Sequence, residues 1–128
     1  LFRKNSDGWE LDKFEHELVA VLETEQGLCV LTGCAHNGVL NIVDTLKEAL
    51  PNKKIVCLFG GLHLIDSKEY VETETKKELE SLATKLKLAI PDVQIYTGHC
   101  TGTKASSILS SFFINNFNPL YVGQIVQF

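Results

Sequence analysis

"LTGCAHNG", residues 31–38, closes an apolar run with glycine and then sets a cysteine and a histidine two positions apart. The design returns in "LFGGLHLI" at 58–65 and "IYTGHCTG" at 95–102. Working outward from the first, "ELVAVLE" at 17–23 and "LCVLT" at 28–32 read as antiparallel strands joined by a tight turn at "TEQG". Beyond it, Val39, Val43, Leu46 and Leu50 share one helical face, and Pro51 and Asn52 end that helix. "KIVCLFG" at 54–60 is a near-continuous apolar run, the mark of a strand covered on both faces.

The pattern then repeats. A helix is expected from Lys68 to Ala89, with Leu79, Leu82, Leu86 and Ala89 as its apolar stripe and a solvated, charged opposite side. "VQIYT" at 93–97 reads as a strand, 103–113 as a short helix, and "YVGQIVQF" at 121–128 as a last strand. Strands alternating with helices imply an α/β fold whose sheet is mostly parallel, with right-handed helical crossovers. Every strand that leads into a helix then ends on one edge, where open α/β sheets bind ligands. The three histidine loops should therefore converge there.

The composition narrows the function. The chain has 128 residues, a net charge of −4 and a single arginine, Arg3, so the clustered cations of a nucleic-acid surface are missing. No apolar run reaches the roughly 20 residues needed to span a bilayer as a helix. The sequence contains no methionine and opens on "LFRKNSDGW", which lacks a signal peptide's pattern. It is expected to be a single domain, 1–128, from a longer polypeptide. Cys29 and Cys57 lie inside apolar runs and read as buried hydrophobes, whereas Cys34 and Cys100 stand beside glycine and histidine at strand ends. Four cysteines with a sizeable core do not form a disulfide framework, and a cytoplasmic location fits them better.

Imidazole and thiolate suit zinc and other late divalent metals, so His36, His63 and His99, with Cys34 and Cys100 alongside, suggest a metal site. Asp66 joins them if its loop folds back. A rival reading comes from "HCTGTKAS", which approaches the H-C-x5-R loop of cysteine phosphatases. Ser106 stands where the arginine is needed, so the bidentate phosphate clamp is absent. The start of the helix at Gly102 and Thr103 remains a candidate seat for an anion.

"DKFEHELVAVLETEQGLCVLTGCAHNGVLNIV" at 12–43, followed by "GGLHL" and "TGHCTG", resembles the C-terminal half of metallo-β-lactamase superfamily hydrolases. The similarity points to the branch of metal-dependent hydrolases related to dihydropterin-type synthases of archaea, and it runs from Asp12 to Phe128. The resemblance implies half of an αββα sandwich with its metal site at a sheet edge. It also implies His16, Cys34 and His99 as ligands, His36 as an additional or alternative one, and His63 as a proton donor or phosphate contact near the scissile group. The cofactor implied is a divalent metal, zinc first, with iron and manganese as alternatives. The superfamily's H-x-H-x-D-H signature belongs to the other half, and no H-x-H occurs here. The expected function is thus the C-terminal part of a metal-dependent hydrolase acting on an unidentified small molecule, incomplete without its upstream half. The expected partner is that half or a second copy of the chain. The alternative is a non-catalytic α/β binding module.

Overall fold

The computed structural model describes residues 2–66 and 73–127. Its centre is a five-stranded sheet whose spatial order is its order along the chain. β3 (Val19–Glu23) and β4 (Leu28–Thr32) are antiparallel, closed by a turn in which Thr24 and Gly27 exchange backbone hydrogen bonds. β5 (Ile55–Phe59), β6 (Gln94–Thr97) and β7 (Phe117–Pro119) then add in parallel. The crossovers are α1 (Val39–Ala49), α2 (Lys76–Ala89) and α3 (Thr103–Phe112). A separate antiparallel hairpin, β1 (Phe2–Asn5) with β2 (Gly8–Leu11), precedes the sheet.

Apolar periodicity explains the packing. Val39, Ile42 and Val43 of α1, Leu79, Ala83 and Leu86 of α2, and Ala105 and Leu109 of α3 are buried. They meet Val30, Leu58 and Ile95 from three neighbouring strands in one core. Side chains alternate along a strand, so the residues between these point to the opposite face. On that face the register aligns Ala20, Leu31, Phe59 and Tyr96 in one transverse row. The Phe59 and Tyr96 rings stack at 4.8 Å. Leu22 is 59% exposed and Leu31 38%, so this face is apolar and open. Cys29 and Cys57 pair across β4 and β5 and are buried, as expected of small hydrophobes.

Two expectations need correction, and one element carries no sequence signal. Phe2, Trp9 and Leu11 of the hairpin at 2–11 are exposed, so no buried alternation announces it. The second helix begins at Lys76 rather than Lys68. Thr75 is its N-cap: its side chain accepts from the Glu78 amide while the Glu78 carboxylate accepts from the Thr75 amide, a reciprocal capping box that stops the helix from extending backward. Residues 68–72 of the expected helix lie outside the described residues. The last strand is Phe117–Pro119 rather than 121–128, because the chain leaving α3 returns at once to β6, where Ile95 donates to Asn116.

Candidate functional site

The three loops that follow β4, β5 and β6 are stitched together at one edge of the sheet. The Gly61 amide donates to the Gly33 carbonyl at 2.8 Å, the Leu62 amide to Thr101 Oγ1 at 3.0 Å, and the Gly102 amide to the Leu64 carbonyl at 2.7 Å. Each loop carries a non-glycine residue with left-handed backbone: Ala35 at φ 54°, His63 at φ 50° and His99 at φ 54°. Such residues are uncommon, and they concentrate where surrounding structure holds a functional loop in place.

Two imidazoles meet at this edge. The His36 and His63 ring centroids are 4.0 Å apart, and Phe14 stacks flat on the far side of His36 at 4.3 Å. Nδ1 of each histidine is buried without a hydrogen-bond partner. Buried polar nitrogens are almost always satisfied, so two orphans side by side call for a ligand or ion. Burial first, and then the neighbouring His36, hold the His63 pKa below the ordinary histidine value, which favours its neutral form. Both rings border a cleft of about 310 Å³ walled by Val39, Leu62 and Leu82, with Glu74 also lining it.

The carboxylate of Glu17, just before β3, pins the first loop. It accepts from the His36 amide at 2.6 Å, the Asn37 amide at 2.8 Å and the Asn37 side chain at 2.9 Å. Burial alone would push its pKa up, but these hydrogen bonds prevail and hold it below the ordinary value. Asp66 does the same for α3. It accepts from the Thr103 amide and hydroxyl and from the Lys104 amide, which lower its pKa. Asp66 is therefore a helix cap in this structure, and the anion seated at that helix start is the protein's own carboxylate.

No family model matches the sequence. Among solved structures, Tm1679, described as a metal-dependent hydrolase of the β-lactamase superfamily, aligns with 99% of the chain at a TM-score of 0.83 and 29% identity, using 46% of its own length. By fold, the chain matches a structure of the β-lactamase superfamily. It forms one α/β half of that superfamily's sandwich, a mixed sheet with helices on one face. Two curated relatives, both from Methanocaldococcus jannaschii, are similar in sequence. One is 7,8-dihydropterin-6-methyl-4-(beta-D-ribofuranosyl)-aminobenzene-5'-phosphate synthase, 34% identical over 118 residues, or 92% of this chain and 37% of that protein. The other is an uncharacterized protein, 31% identical over 97 residues, or 76% of this chain and 32% of its own length. The chain thus spans about a third of each curated relative.

Within this superfamily fold, the residues singled out in the sequence fall into separate places. His36 and His63 are together. Cys34 and Cys100 lie beside them, half-buried, and the Cys100 sulfur accepts from the His63 amide at 3.2 Å. His99 belongs to the stitched loops but is itself exposed. The His16 side chain is 69% exposed, with Nδ1 4.0 Å from Asp12 and its ring 6.0 Å from Phe14. Among the described residues, no three histidine, cysteine, aspartate or glutamate side chains converge closely enough to hold a metal ion. In type, imidazole and thiol donors at this edge suit a late divalent metal. Sequence reasoning missed Phe14 and Glu17. Neither carries a local signal, because each acts on a loop about 20 residues further along the chain.

No helix among the described residues is long and apolar enough to cross a membrane.

Proposed function

We propose that this chain is the C-terminal part of a metal-dependent hydrolase, contributing one wall of a site that the upstream H-x-H-x-D-H segment completes. The reading is supported above all by the His36–His63 pair, whose two buried Nδ1 atoms lack partners at the edge where three loops meet. His36 and Cys34 are the donors assigned at that edge, and His99 and His16 are the further ligands suggested by the superfamily resemblance. A divalent ion held there, zinc by donor type, would supply Lewis-acid activation of water and of the bond under attack. His63, neutral and half-buried, would contact the group being cleaved. Glu17 holds the His36 loop in register, and the apolar cleft excludes water from one side of a small substrate.

The open sheet face supports the partial-chain reading. An apolar row such as Leu31, Phe59 and Tyr96 is normally covered in a folded protein. We assign its cover to the sheet of the other half. A reducing compartment, the cytoplasm, suits the free thiols.

The test uses the chain itself, with nitrogen-15 in its histidines. Titration with zinc is expected to move the His36 ring nitrogens first, with weak affinity, and His36→Ala should remove the response. The same titration of a polypeptide that includes the upstream segment should saturate at much lower zinc. Unchanged histidine signals in both proteins would overturn the reading and favour the non-catalytic module.

A further inference from the structure

Cys34 and Cys100 are 66 residues apart in sequence, at the ends of β4 and β6, with β5 between them. The Cys100 sulfur reaches the Cys34 segment because residue 61, just after β5, has no side chain. A Cβ on Gly61 would collide with Cys100 Sγ and would lie 3.4 Å from the Cys34 Cα and 3.3 Å from the Gly33 carbonyl. The space left by glycine is where the Cys100 sulfur crosses to the Cys34 segment. There its thiol donates to the Cys34 carbonyl at 3.7 Å. Both residues are half-buried, open to a small oxidant, whereas Cys29 and Cys57 are sealed in the sheet.

We propose that Cys34 and Cys100 form an oxidation site at which a peroxide closes a reversible disulfide over Gly61. The Cys100 sulfur, seated in the space over Gly61 and already accepting from the His63 amide, is the attacking group. It displaces hydroxide from hydrogen peroxide, which takes up the thiol proton and leaves as water, and a sulfenic acid forms. The Cys34 sulfur then attacks that sulfenic sulfur; the S–O bond breaks, the S–S bond forms and a second water departs. Two thiols lose two electrons and two protons, and one peroxide becomes two waters. The bridge would lock the β4 and β6 loops together and withdraw the Cys34 sulfur from any other partner. This oxidation site does not depend on the metal reading.

The test treats the purified chain with one equivalent of hydrogen peroxide in the presence of a chelator, so that metal plays no part. Of the four thiols, two are expected to disappear without dimer formation and to return with dithiothreitol. Fragment-ion sequencing of the linked peptides should join Cys34 to Cys100. Cys34→Ser and Cys100→Ser should each abolish the reversible loss, and Gly61→Ala should slow it roughly tenfold by displacing the Cys100 sulfur. A link between Cys29 and Cys57, a link only between molecules, or independent oxidation to sulfinic acid without any link would each overturn the proposal. Fragment sequencing of the unmodified chain decides the matter even if a variant fails to fold.

Discussion

Replacing Glu17 by glutamine isolates what one carboxylate contributes to the rim. Its oxygens receive the His36 amide at 2.6 Å and the Asn37 amide at 2.8 Å, both in the loop that carries the His36 imidazole. Hydrogen bonds to a charged partner contribute about 1.5–3 kcal/mol each, and solvent exposure of the pair reduces that. Glutamine keeps one acceptor oxygen but turns an amide group toward a donor, so one charged bond becomes neutral and the other is lost. The expected cost at about pH 7 is roughly 1–2 kcal/mol. The pH dependence carries the sharper test. The folded pKa of Glu17 lies below its ordinary value of 4.5. Its contribution is therefore complete above the unfolded value and disappears as pH falls through the lower, folded one. Urea unfolding of both proteins should show the full gap near neutrality and a shrinking gap below about pH 4.5. A histidine NMR spectrum should show the His36 ring in a looser environment in the variant at neutral pH. A gap that keeps its size in acid, or no gap at all, would refute the account of Glu17 as a charged clamp on this loop.

Two other perturbations follow from the packing. Gly60 has φ 135°, and an alanine Cβ there would overlap the Thr32 hydroxyl and carbonyl, so Gly60→Ala should cost about 3 kcal/mol or prevent folding; an unchanged urea midpoint would contradict this. The Cys57 thiol is pushed up to about 12, chiefly by burial, so iodoacetamide at about pH 8 should leave it unlabelled in the folded chain and label it after unfolding, as read by mass spectrometry of its peptide.

Much of this architecture is legible because its signals are local and regular. The apolar runs at 28–32, 54–60 and 93–97 each yield a strand, and the α1 stripe yields a helix, because burial on one side imposes a period that composition records. Convergence of the histidine loops follows from parallel crossovers, and the 4.0 Å approach of His36 to His63 agrees with it. What escapes sequence reasoning is contact at long range or against the period. Asp66 reads as a possible ligand until its bonds to Thr103 and Lys104 show a cap. Thr75 and Glu78 carry a stop signal that apolar periodicity alone overrides. "YVGQIVQF" has a strand's composition, yet β6 takes its neighbour from Phe117–Pro119, where the Asn116 carbonyl and the Leu120 amide already bond to it.

The two helix starts nearest the candidate site are already neutralised from within, α3 by Asp66 and the turn into α1 by Glu17. Among the described residues, the amides of these two turns are taken, so an anion arriving there would face two fixed carboxylates. On the proposed reading, a substrate at this rim would turn its anionic groups away from Glu17 and Asp66.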